Sequence, residues 1–65
     1  MMTGPTELRD WIRSKHYTIR AAAVVLQIPE ASLRAYLGGA RVPGVERAER
    51  LRRRCGIKAA AWVEE

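Results

Sequence analysis

The amino-acid sequence predicts an all-α domain, and three observations support the prediction. Apolar residues recur every three or four positions along most of the chain, which is the period of an amphipathic helix. No segment alternates apolar and polar residues over the length of a strand. Glycines and prolines separate the periodic segments and mark their ends. These boundaries divide the 65 residues into five predicted helices.

The first helix is predicted over residues 6–16. Thr6 is suited to cap its N-terminus. Its apolar stripe consists of Leu8, Trp11 and Ile12. Residues 1–5, at the end of the chain, are expected to form a flexible N-terminus. The predicted domain therefore covers residues 6–65.

The second helix is predicted over residues 19–26, with Thr18 as its cap, and the third over residues 30–37. Pro29 is suited to the first position of a helix because its missing N–H would have no partner there. A pair of glycines ends the third helix. The two helices are therefore separated by a very short connection.

The corner at residues 26–29 joins these two helices so tightly that small side chains are needed where the helices cross. Ala23 supplies one of them. Ile28 and Leu33 are placed to fill the space between the helices. This arrangement predicts that the second and third helices form a helix-turn-helix.

The fourth helix is predicted over residues 45–55 and ends at Gly56. Its core-facing stripe consists of Val45, Ala48, Leu51 and Cys55. A short fifth helix is predicted over residues 58–63, with Trp62 folded over the core. Trp11 and Tyr36 also fall on apolar stripes, so we expect them in the core and not against nucleobases.

The chain is basic. It carries twelve lysines and arginines against seven acidic residues, for a net charge of +5. The densest basic stretch runs from residue 41 to residue 58 and contains Arg41, Arg47, Arg50, Arg52, Arg53, Arg54 and Lys58. Such a stretch is typical of nucleic-acid-binding domains, and the alternative is a helix face that is simply solvated.

Several classes of function are disfavoured by composition. One cysteine and one histidine provide neither an intramolecular disulfide nor a zinc site, so no metal or other cofactor is expected. The sequence has no apolar run long enough for a membrane span and no signal peptide. It lacks convergent carboxylates and a glycine-rich phosphate loop, so we expect neither an enzyme nor a small-molecule receptor. A cytoplasmic, nucleoid-associated protein is the expectation.

From Leu8 to Trp62, the sequence resembles the lambda-repressor-like, Cro and xenobiotic-response-element type of helix-turn-helix protein. The resemblance is carried by Thr18, Ala23, Leu33, the loop Tyr36-Leu37-Gly38-Gly39-Ala40-Arg41-Val42-Pro43, Leu51, Cys55-Gly56-Ile57 and Trp62. It implies a compact five-helix domain whose third helix lies in the DNA major groove. It also implies a homodimer on a two-fold-related operator.

Three positions depart from the pattern of that family. Gln27 stands where the family usually has glycine, so a left-handed residue with modest strain is expected there. Pro29 replaces a Ser or Thr cap. Ile12 and Leu37 stand where many members have an Arg–Glu ion pair, which implies an apolar contact in its place.

The outward face of the third helix is predicted to contact DNA bases, and its residues are Glu30, Ala31, Arg34 and Ala35. Arg34 is suited to O6 and N7 of guanine, and phosphate contact or plain surface charge is its alternative. Glu30 is suited to N4 of cytosine, although we favour its alternative role beside the positive helix N-terminus. The two alanines are suited to thymine methyl groups.

Six further residues are predicted to contact DNA phosphates, at the start of the second helix, in the glycine loop and in the fourth helix. They are Thr18, Arg20, Gly38, Gly39, Arg41 and Arg47. For Arg47, an ion pair with Glu46 is the alternative.

These observations favour a sequence-specific regulator of transcription that binds double-stranded DNA, of the phage or mobile-element repressor kind. The alternative function is an antitoxin or a protein-interaction helix-turn-helix module. An antitoxin usually carries an additional segment that wraps its toxin. The predicted domain leaves little chain for one, so we expect the regulator.

Overall fold

The computed structural model describes residues 2–63 of the chain and contains, within that range, four α-helices and no β-strand. The helices are α1 (Gly4–Ser14), α2 (Ile19–Leu26), α3 (Glu30–Leu37) and α4 (Val45–Cys55), followed by a 3-10 helix (Ala59–Trp62). The all-α prediction is therefore confirmed. Met1, Glu64 and Glu65, which belong to the predicted segments 1–5 and 6–65, lie outside the described residues.

The structure matches the predicted bounds of the second, third and fourth helices residue for residue. The predicted fifth α-helix is a four-residue 3-10 helix instead. Its three alanines bring Trp62 to the core, and Val63 then adopts an extended conformation. A segment this short has no room for the hydrogen bonds of a further α-helical turn.

The first helix begins two residues earlier than predicted, so Thr6 lies within α1 and is not its cap. Thr3 flanks the helix instead, and its hydroxyl donates to the Glu7 carboxylate at 2.8 Å. The backbone N–H of Thr3 donates to the Ala61 carbonyl at 3.0 Å. The part of the predicted flexible N-terminus from Thr3 onward therefore belongs to the folded domain.

A single apolar core lies between the helices. Its fully buried side chains are Leu8, Leu26, Leu33, Leu51 and Ile57. Helix α3 packs against both α1 and α2, and the 3-10 helix contacts α1 and α4. Ile12 and Leu37, which were predicted to contact each other, both belong to this core.

The aromatic side chains pack at the edges of this core. The Tyr36 and Trp62 rings are both buried and meet edge to face with centroids 6.2 Å apart. Trp11 is half-buried and makes a similar contact with Tyr17 at 5.6 Å. Val45, which was predicted to face the core, is instead 91% exposed. It is the first residue of α4, and the apolar stripe of that helix reaches the core only farther along.

The turns after α1, α2 and α3 share the hydrogen bonding of the Schellman motif. After α2, the Ile28 N–H donates to the Ala23 carbonyl at 3.0 Å, and the Gln27 N–H donates to the Val24 carbonyl at 3.2 Å. The left-handed residues of the three turns are His16 (φ 57°), Gln27 (φ 56°) and Gly39 (φ 75°). The prediction of a left-handed Gln27 is confirmed.

Replacement of Gly4 by alanine is expected to destabilise the domain. A Cβ atom at Gly4 would overlap the Trp62 indole ring, which packs directly on the glycine. Overpacking of this kind lowers the free energy of unfolding by about 1–3 kcal/mol. Urea denaturation of Gly4→Ala measures the effect. Gly38→Ala is the matched control because Gly38 has an ordinary φ of −86° and a Cβ there would make only ordinary van der Waals contacts. Equal stability of the two variants would contradict the packing of Trp62 on Gly4.

Replacement of Gln27 by glycine is expected to stabilise the domain, because glycine adopts the left-handed conformation without a steric penalty. We expect the free energy of unfolding to rise by about 0.5–1 kcal/mol. The same denaturation experiment on Gln27→Ala provides the control, since alanine keeps the strained Cβ. The expectation fails if the alanine variant gains as much stability as the glycine variant.

Candidate nucleic-acid interface

Helix α3 presents two different faces. Leu33, Tyr36 and Leu37 lie in the core. The predicted base-contacting residues lie on the other side, where Ala31 and Arg34 are exposed and Glu30 and Ala35 are partly exposed. The four residues from Glu30 to Ala35 that were singled out from the sequence therefore share one accessible face, which we call the α3 face.

Glu30 lies between two arginines. Arg34, one helical turn farther along α3, donates from Nη2 and Nε to Oε2 of Glu30 at 2.9 and 3.1 Å. Arg20 of α2 places its Nε 3.6 Å from the other oxygen, Oε1. The hydrogen bond from Arg34, reinforced by the charges of both arginines, lowers the pKa of Glu30 below its usual value. Both carboxylate oxygens of Glu30 thus face a cation within the protein.

The start of α2 adjoins this face. Thr18 caps the helix as predicted, because its hydroxyl accepts the Ala21 N–H at 3.0 Å. Arg20 follows in the first turn, with 88% of its side chain exposed. Arg20 therefore borders the α3 face through its contact with Glu30, and Thr18 lies at the N-terminus of the same helix.

The glycine loop after α3 has few free backbone donors. The N–H groups of Gly38 and Gly39 donate to the carbonyls of Arg34 and Tyr36 at 3.0 and 3.2 Å. The Ala40 N–H donates to the Ala35 carbonyl at 2.9 Å. Since these three amides already have partners at the end of α3, Gly38 and Gly39 can assist a phosphate contact only by permitting close approach of the loop. The exposed Arg41 is the basic residue of the loop.

Arg47 does not pair with Glu46. Its Nη1 atom donates to the Tyr36 hydroxyl at 3.0 Å, so the residue is tied to the end of α3. Glu46 pairs instead with Arg50, at 3.3 Å. Arg47 therefore holds a position beside α3, which is compatible with either a structural or a phosphate-binding role.

The sequence reasoning missed the structural role of Arg50. Its Nη1 atom donates to the Gln27 and Leu26 carbonyls at 2.9 and 3.4 Å, which ties α4 to the corner between α2 and α3. A cation is also favourable at the C-terminal end of α2, where the helix dipole is negative. The one signal in the sequence was Glu46, placed four residues earlier to support the arginine.

The remaining arginines of α4 are partly neutralised within the helix. Glu49 accepts hydrogen bonds from Arg52 and Arg53, and the bond from Arg52 in particular lowers the pKa of Glu49 to about 2. All three side chains are substantially exposed. Much of the basic run in α4 is therefore occupied with internal ion pairs, which weakens its value as a signal of DNA binding.

The described part of the chain offers little support for a reactive cysteine, a metal site or a membrane span. Burial raises the pKa of the Cys55 thiol to about 11, so the thiol stays protonated at neutral pH. Residues 2–63 contain no cluster of His, Cys, Asp and Glu suited to a metal ion. Within the same residues, no helix has the length and apolar character needed to cross a membrane.

Comparison of the chain with protein-family models, with curated proteins and with solved structures finds no match in any of the three.

Proposed function

We propose that this chain is a sequence-specific binder of double-stranded DNA that regulates transcription, with α2 and α3 as its helix-turn-helix. The observation that carries the proposal is the two-sided nature of α3. One side supplies buried residues to the core, while the α3 face is accessible and bordered by exposed arginines. A recognition helix needs this combination of a fixed position and a free outer side.

The dimensions of α3 suit the major groove. With its side chains an α-helix is about 10–12 Å across, and the major groove is about 12 Å wide, so the eight-residue helix can lie within it. Ala31 and Ala35 are short enough to let the helix backbone approach the base edges and to contact thymine methyl groups. Arg34 supplies the one long donor on the α3 face. The proposed base contacts are therefore those of the α3 face as a whole.

The proposed phosphate contacts lie at the start of α2, in the glycine loop and in α4. Arg20 in the first turn of α2 and Arg41 in the loop after α3 are both exposed to solvent, and Thr18 marks the N-terminus of α2. Gly38 and Gly39 permit close approach of the loop, although their amides already have partners. Arg47 is placed beside α3 by its bond to Tyr36. Contacts of this kind fix the register of a protein on DNA without reading its sequence.

We propose that the chain acts as a homodimer on a two-fold-related operator. The domain measures 31 × 21 × 20 Å. Half-sites one helical turn apart are about 34 Å apart, so one domain fits each half-site without overlap. Such a protein would repress transcription by occupying promoter DNA, in the cytoplasm and on the nucleoid.

A second candidate function is a protein-interaction module, of which an antitoxin is one example. The observation that favours it is the exposure of Val42 and Val45, which lie close together before and at the start of α4. Apolar side chains in solvent are suited to a protein partner. The nearby arginines suit DNA equally, and so the regulator remains our main proposal.

Titration against DNA tests the proposal. The chain is added to a labelled fragment of its own upstream promoter and to random duplex, each at two salt concentrations, and binding is followed by fluorescence anisotropy. We expect the promoter preference to survive moderate salt, while binding to random duplex falls steeply. Equal binding to both duplexes would reject the operator, and absence of binding would favour the protein-interaction module.

Two arginine variants distinguish recognition of bases from binding to phosphates. Arg34→Ala is expected to lose sequence preference, whereas Arg41→Ala is expected to weaken all duplexes alike and to reduce the salt dependence by about one phosphate contact. Arg13→Ala removes the same charge from the exposed side of α1 and serves as the control. Retention of full specificity by Arg34→Ala would show that the α3 face is not the reading surface.

A further inference from the structure

We propose that Glu30 is a positioning residue that holds the Arg34 guanidinium for end-on recognition of a single guanine in each half-site. The inference rests on the DNA-binding function proposed above and deepens it. It assigns Glu30 an action through Arg34 in place of a contact with a base. Four features of the α3 face support it.

The first feature is the edge of the guanidinium that Glu30 occupies. Nε and Nη2 of Arg34 both donate to one oxygen, Oε2. A guanidinium has five N–H donors in a fixed planar fork. The edge formed by Nη1 and the second hydrogen of Nη2 therefore keeps two parallel donors. Two parallel donors are what O6 and N7 of guanine accept.

The second feature is the support of Glu30 itself. Arg20 lies 3.6 Å from Oε1, so the carboxylate is contacted from α2 as well as from α3. The Glu30 side chain is only 36% exposed, against 59% for Arg34 and 88% for Arg20. Glu30 is thus the least exposed of the three side chains and is contacted from two helices. A guanidinium held against it loses less conformational freedom when it binds DNA.

The third feature is the charge of the three side chains together. Two arginines and one glutamate carry a net charge of +1. An isolated carboxylate on the α3 face would repel DNA phosphates, but this one is neutralised from both sides. Glu30 can therefore remain charged and hydrogen-bonded to Arg34 while the face lies against DNA.

The fourth feature is the lack of hydrogen-bonding side chains at the two alanine positions of the α3 face. Ala31 and Ala35 carry no hydrogen-bonding side chain. The Nη1–Nη2 edge of Arg34 is then the one group on the α3 face that is left to form hydrogen bonds with bases. The expected binding site has one strongly specified guanine in each half-site, flanked by positions of weaker preference.

Selection from a pool of randomised duplexes, followed by single-base substitution in the selected site, tests the inference. We expect the wild-type chain to lose roughly 10- to 100-fold in affinity when the specified guanine is replaced. Substitution of 7-deazaguanine, which lacks the N7 acceptor, should also weaken binding by the wild-type chain. Arg34→Ala should be indifferent to both changes.

The variant that probes Glu30 is Glu30→Ala. We expect its preference for the same guanine to fall by at least about three-fold, with the preferences at other positions unchanged. Glu49→Ala is the matched control because Glu49, on α4, likewise pairs with two arginines, Arg52 and Arg53. It removes the same charge and should leave the guanine preference intact.

A double variant shows whether Glu30 acts through Arg34. In the Arg34→Ala background, Glu30→Ala should cause no further change in base preference. Circular dichroism checks that each variant folds. If Glu30→Ala does not fold, Glu30→Gln provides the measurement, because the amide oxygen retains one acceptor and should preserve part of the preference.

Three results would overturn the inference. Glu30→Ala could leave the guanine preference unchanged or raise it, in which case Glu30 does not position Arg34. It could alter the preference at a different base pair and do so without Arg34, in which case Glu30 contacts a base itself. The wild-type chain could bind a selected sequence that specifies no guanine, in which case the inference fails and the DNA-binding function stands. Only absence of DNA binding would reject both.

Discussion

The position of α3 depends on the corner formed by Gln27, Ile28 and Pro29. The left-handed Gln27 reverses the chain within three residues, and Ile28 enters the core directly afterwards. Arg50 from α4 then binds the Gln27 carbonyl at 2.9 Å and fixes the corner from outside. With the corner held, Leu33 on the inner side of α3 reaches the core, and the outer side can only face solvent. The accessible face is thus a consequence of how the chain turns before the helix begins.

Local signals explain why three helices could be predicted to the residue. Thr18, Pro29 and Gly56 are caps or stops whose effect operates within one turn of chain. The signal at the start of α1 is weaker, because Pro5 lies in its first turn but its first residue, Gly4, is a poor helix former. Gly4 packs against Trp62, which lies at the far end of the sequence. The apolar periodicity of α4 also could not show at which residue the helix leaves the core. Val45 was therefore predicted to be buried although it is exposed.

The candidate nucleic-acid interface could be predicted from the sequence only in part. Helical periodicity identified the outward face of α3, but it could not show that Arg20 approaches Glu30, since that contact depends on how α2 packs against α3. Nor could the count of basic residues show which of them are already engaged. Arg50 and Arg47 bind backbone and tyrosine oxygens, and several neighbours pair with glutamates. Net charge therefore overstates the cationic surface available to a nucleic acid.

The hydrogen bond from the Thr3 N–H to the Ala61 carbonyl brings two segments from opposite ends of the described chain to the same place. The two segments are therefore close enough to be joined by a short linker. A short linker from Val63 back to Thr3, with new termini opened in the exposed loop at 40–42, would give a circular permutant with the same helices around the same core. Its circular dichroism spectrum and unfolding transition would match those of the original chain.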